Sequence, residues 1–138
     1  MSDIVIIPQN TLVVVADGHQ AILLRSHGVK DALTLAEERR VTPQNLEDDG
    51  PSGSRPPEQT IVQTDEATFA KQLANELYSM KHAHQFDKMV LAADPQTLGQ
   101  LRDTMHKTVA DSIVLSLNKV LTNHSTLDLA KAVRDAAG

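Results

Sequence analysis

Two uninterrupted apolar runs open the pattern, Leu12-Val13-Val14-Val15-Ala16 and Ala21-Ile22-Leu23-Leu24, with Asp17-Gly18-His19-Gln20 between them. β-branched residues dominate the first run. The Asp-Gly pair is a hairpin signal, because glycine tolerates the positive φ that tight hairpin turns demand. Residues 11–26 are therefore predicted to form an antiparallel hairpin. The first run has no polar alternation, which predicts a strand covered on both faces. Beyond His27-Gly28, the segment Lys30–Arg40 carries residues that favour helix, yet Leu33 and Leu35 alternate with Thr34 and Ala36 as in an edge strand. Pattern alone leaves both readings open.

Residues 42–63 break the pattern. They contain four prolines and two glycines among acidic and hydroxyl residues, and no regular element accommodates that composition. A long flexible loop is expected there, functional or disordered.

Periodicity returns with Phe69, Ala70, Leu73, Ala74, Leu77 and Met80, which share one helical face. Thr64 is placed to cap this helix, with Asp65 and Glu66 favourable at its N-terminal dipole. The helix is predicted to end near residues 81–84. Met89–Ala93 is again continuously apolar, as in a parallel strand buried on both faces. Asp94 follows at an N-cap position and Pro95 at the first helical position, where a missing N–H is harmless. Leu98, Leu101 and Met105 mark the inner face of that helix; Val109 and Ala110 extend it or form a short turn. Ile113–Leu117 reads as a strand. Ser125-Thr126-Leu127-Asp128 approximates a capping box before a last helix through Leu129, Ala130 and Val133.

The predicted order is β-β-β, a long loop, then α-β-α-β-α, in one domain spanning residues 1–138. The expected fold is α/β, with a mixed five-stranded sheet and helices on its faces. Three antiparallel strands come from the N-terminal half and two parallel strands from the C-terminal half.

Composition narrows the function classes. The 41% apolar content is ordinary, but Phe69, Phe86 and Tyr78 are the only aromatics, so the core must be aliphatic. Cysteine is absent, which removes disulfides, thiolate metal sites and thiol nucleophiles. The net charge of -5 disfavours non-specific nucleic-acid binding by the molecule as a whole, while leaving a local basic face open. The N-terminus has no basic region before its short apolar run, and no stretch is long enough to span a bilayer. A cytoplasmic protein without membrane attachment is expected.

Asp17 and Asp94 are the main site candidates. If the first and fourth strands are parallel neighbours, both carboxylates lie at the carboxyl end of the sheet, where open α/β sheets bind ligands. Two such carboxylates suit a divalent cation and hydrolase chemistry. A hairpin turn and a helix cap also account for each of them without chemistry. His82 and His84 are two apart and do not share a helix face. His19, His106 and His124 read as surface or structural residues. The lysines and arginines are scattered along the chain, and no phosphate loop, dinucleotide fingerprint or nucleophile elbow is present.

Four strings, in order, resemble the bacterial host attachment protein family, also called proteins required for attachment to host cells. They are Thr11–Gly18, Phe69–Ala74, Phe86–Pro95 continuing into Leu98–Arg102, and Lys119–His124. Together they cover nearly the whole chain outside the 42–63 loop. The resemblance favours the strand reading of residues 30–40. It implies a fold similar to the ribonuclease H-like central domain of eukaryotic and archaeal class-1 translation termination factors. It also implies a binding module linked to ribosomes or RNA. Termination factors present a Gly-Gly-Gln tip on a long loop; here the corresponding loop holds Gly50, Gly53 and Gln59 but no Gly-Gly-Gln. No catalytic residue, metal or cofactor is carried over. Arg55 and Gln59 in the loop join Asp17 and Asp94 as binding candidates. Three function classes follow: a non-enzymatic ribosome- or RNA-associated module with an indirect role in host attachment, a divalent-metal nuclease or hydrolase, and an oligomeric adaptor with a protein partner.

Overall fold

The computed structural model describes residues 7–29, 32–43 and 66–137. Five strands form one sheet: β1 (Leu12–Ala16), β2 (Ala21–His27), β3 (Thr34–Val41), β4 (Met89–Ala93) and β5 (Ile113–Asn118). Four helices of the described residues join them: α1 (Glu66–His82), α2 (Pro95–Thr104), α3 (Lys107–Ala110) and α4 (Thr126–Ala137). The strand order is β3-β2-β1-β4-β5. β1 pairs antiparallel with β2, and β2 with β3; β1 pairs parallel with β4, and β4 with β5. The expected mixed sheet is present, with β1 and β4 at its centre.

Position in the sheet explains the strand sequences. Every residue of β1 and β4 is buried, in keeping with unbroken apolar runs. One face, carrying Leu12, Val14, Leu23 and Leu91, is covered by α1 and α2 through Phe69, Leu73, Leu77 and Leu101. The opposite face, carrying Val13, Val15, Ile22 and Val90, is covered by α4 through Leu129, Ala130 and Val133. α4 packs against β3, and Arg134 Nη1 donates to the Leu33 carbonyl at 2.8 Å. Residues 34–41 are a strand despite their helix propensity. Pairing with β2 satisfies the backbone groups on their inner side, and α4 packs against this strand, so tertiary context outweighs propensity.

The exposed edge strand β3 carries Glu37, Glu38, Arg39 and Arg40, a charged edge that discourages further strand pairing. The register slips by one residue between Leu23 and Leu24, so Glu38 is the extra residue on β3. Such a bulge re-aims a side chain, and Glu38 engages Arg25 of β2 rather than following the alternation.

The first hairpin forms by a different device from the predicted one. Among the described glycines only Gly28 has positive φ, so Gly18 does not supply a left-handed turn residue. The Asp17 side chain holds the loop instead, in the manner of an Asx turn. Asp128 N–H donates to Ser125 Oγ at 3.1 Å, as the capping-box reading requires. The proposed cap at Thr64 lies outside the described residues.

Candidate functional site

The carboxyl ends of β1 and β4 form the centre of the candidate site. Ala16 and Ala93 are register partners, so Asp17 and Asp94 each follow the last paired residue of adjacent parallel strands. From Asp17 the chain turns outward to β2; from Asp94 it turns the other way into α2. This divergence is the topological switch point at which open α/β sheets leave a crevice.

Both carboxylates are engaged by the fold. Asp17 Oδ1 accepts the backbone N–H groups of His19 at 2.7 Å and Gln20 at 2.9 Å. Its Oδ2 accepts the Thr122 hydroxyl at 2.8 Å. Thr122 lies on the connection from β5 to α4, and β4 separates β5 from β1. That bond therefore crosses the end of β4 and ties the two halves of the sheet together. Thr122 and Leu121 are buried there, while Lys119, Asn123 and His124 of the same connection are exposed. Asp94 is extended at φ -64 and ψ 161, and its Oδ2 accepts the Thr97 N–H at 3.1 Å as an N-cap. Three donors converge on one carboxylate and a cap bond occupies the other, which links the hairpin loop, the start of α2 and the β5–α4 connection to this end. Among the described residues no group of three acidic or histidine side chains is arranged to hold a metal ion.

The described residues that flank the 42–63 segment lie at the same end. β3 finishes at Val41, opposite Ala21, which in turn pairs with Ala16. α1 ends in the turn that enters β4 at its amino end. Its 17 residues, a length of ~25 Å at the usual helical rise, return its start toward the carboxyl end. The chain thus leaves and re-enters the sheet layer beside Asp17 and Asp94. The two loop candidates, Arg55 and Gln59, lie outside the described residues.

The histidines separate by role. His106 caps α3, its Nδ1 accepting the Thr108 N–H at 3.1 Å, and its ring lies 4.4 Å from that of Tyr78. His84 has φ 61 just past the end of α1. His84 N–H donates to the Lys81 carbonyl and Gln85 N–H to the Met80 carbonyl, the Schellman pattern with His84 at the left-handed position. Glycine is the usual signal for this ending, and its absence hid the feature from sequence reading. The Thr122–Asp17 bond was hidden for another reason: its partners are 105 residues apart.

No helix among the described residues is long and apolar enough to cross a membrane. No curated protein matches the chain. A solved structure described as "Archaeal protein" is similar over 91% of this chain and 36% of its own length, at 12% identity and a TM-score of 0.45. The chain thus spans little more than a third of that protein. The sequence family described as bacterial archaeo-eukaryotic release factor family 12 matches residues 10–133, from the entry to β1 through most of α4. The chain belongs to bacterial archaeo-eukaryotic release factor family 12.

Proposed function

We propose that this chain is a non-enzymatic, release-factor-like binding module that engages the ribosome or its RNA through the carboxyl end of the sheet, with residues 42–63 as the contacting segment. Family membership is the observation that carries this reading. The site geometry supports the non-enzymatic part. Asp17 and Asp94 are occupied by turn, cap and cross-sheet hydrogen bonds, and the sequence contains no Gly-Gly-Gln. A hydrogen-bonded carboxyl end, with the residues flanking the 42–63 segment at the same end, suits recognition without hydrolysis. An effect on attachment to host cells, the phenotype that names the resembling family, would then arise indirectly through translation.

The reading is tested by sedimenting cell lysate through a sucrose cushion at low salt. The full chain is expected in the ribosomal pellet and a variant lacking residues 42–63 in the supernatant. Recovery of the full chain only in the soluble fraction sinks the proposal.

A further inference from the structure

A cavity lies at the opposite end of the sheet. It has a volume of about 610 Å³ and is walled by the entry to β1, by β2 and β3, by the end of α1 and by the turn into β4. The reading of the carboxyl end makes no use of it.

Its floor is a fixed cation. The Arg25 side chain is 15% exposed. Its Nε and Nη2 donate to the two carboxylate oxygens of the bulged Glu38 at 3.2 and 3.1 Å. Its Nη1 donates to the carbonyls of Asn10 at 3.3 Å and Gln85 at 3.0 Å. Lys81 is also held: its Nζ donates to the Asp87 carbonyl at 3.2 Å and sits 5.5 Å from the centre of the Phe86 ring. Lys88 is exposed, on the same wall. Two carboxylates face these three cations. Glu38 is committed to Arg25, and Asp87 is 88% exposed and 3.7 Å from Lys81. In a chain of net charge -5 this cavity is a local excess of cations and N–H donors.

Backbone conformation points to the same place. Asn10 at φ 69 and His84 at φ 61 are the only described non-glycine residues with positive φ, and both line this cavity. Backbone conformations that disfavour side chains concentrate at ligand sites. A glycine would satisfy the end of α1 at His84 with less strain; a histidine stands there instead, among the residues that line the cavity.

We propose that this cavity binds a phosphate group carried by a nucleotide or by an RNA end. Phosphate offers three terminal oxygens and up to two charges. Lys81 and Lys88 supply the charge, and the imidazoles of His27 and His84 supply further donors. A carboxylate brings one negative charge to these cations, whereas a phosphate group brings up to two. The volume leaves room for an attached nucleoside, since small-molecule sites commonly span roughly 300–1,000 Å³. The inference is independent of the ribosome reading, and its test does not involve ribosomes.

The test titrates the full chain with inorganic phosphate, adenosine monophosphate, adenosine and a short single-stranded RNA, following backbone amide shifts. Phosphate and adenosine monophosphate are expected to shift amides of residues 9–11, 25–27 and 84–88; adenosine is not. Lys88→Glu is expected to weaken adenosine monophosphate binding roughly tenfold, the scale of one lost charge-assisted contact. Lys131→Glu, the same charge change on the exposed side of α4, is expected to leave it unchanged. His84→Gly is expected to weaken binding without lowering the melting temperature. Tighter binding of the mononucleotide identifies a free nucleotide as the source, and tighter binding of the oligomer identifies RNA. The proposal is overturned if no phosphate-bearing probe shifts these amides, if adenosine shifts them equally, or if Lys88→Glu and Lys131→Glu weaken binding alike.

Discussion

At the scale of single residues, the aspartates show how a side chain that suits metal chemistry is used by the backbone. Asp94 caps α2 through Thr97 N–H. Replacing an N-cap aspartate with alanine costs about 1 kcal/mol, whereas asparagine caps equally well. Denaturant unfolding is therefore expected to show that loss for Asp94→Ala and almost none for Asp94→Asn. Asp17 and Thr122 form one unit across the end of β4. A double-mutant cycle with Asp17→Ala and Thr122→Val is expected to show a coupling of about 1 kcal/mol; additive losses would mean that the bond is not made in solution. His84 is expected to behave in the opposite sense, because His84→Gly relieves a left-handed non-glycine residue. The expected gain is about 1 kcal/mol, readable as a higher melting temperature. The positions of Asp17 and Asp94 at one sheet end were legible in the sequence, since the ends of two apolar runs fix them once the strands are taken as parallel. Their hydrogen-bond partners were less so. A cap bond to Thr97 is local and follows from residue type, whereas Thr122 is brought in by the tertiary fold.

At the scale of elements, legibility followed burial. β1 and β4 are buried throughout, and their sequences contain little besides apolar residues. α1 has one buried face, read from Phe69, Leu73 and Leu77. β3 was ambiguous because an edge strand packed on one side keeps few apolar positions, here Leu35 and Val41. The separate turn of helix at Lys107–Ala110 was also open in the sequence. His106 starts it with a cap bond that only the described backbone reveals. The amino-end cavity was invisible because its walls come from five short segments, none with a motif. α4 is the helix that covers the second face of the sheet. Leu129, 2% exposed, is one of its buried contact residues. Leu129→Ala is expected to destabilise the domain by about 2–5 kcal/mol, as buried leucine truncations do. A loss below 1 kcal/mol by urea denaturation would show that α4 is peripheral to the core.

At the scale of the whole molecule, the two ends of the sheet have different characters. The carboxyl end gathers the switch point, the β5–α4 connection and both anchors of the 42–63 segment. The amino end holds a cationic cavity in an otherwise acidic chain. The chain belongs to a release-factor family and its sequence contains no Gly-Gly-Gln, which is the basis of the proposed binding role. The proposed RNA contact would be made by local cations of a chain of net charge -5, so its affinity is expected to fall as salt rises, with a slope set by the number of phosphates contacted. The most direct measurement is the equilibrium affinity of the purified chain for purified ribosomes across a salt series from about 50 to about 200 mM. It is made with the full chain and with the variant lacking residues 42–63, after unfolding curves have shown that both are folded. Contact through residues 42–63 requires saturable binding at the lowest salt, weakening as salt rises, and loss of that binding in the folded deletion variant. No binding at the lowest salt, or equal binding by the two chains, would contradict it.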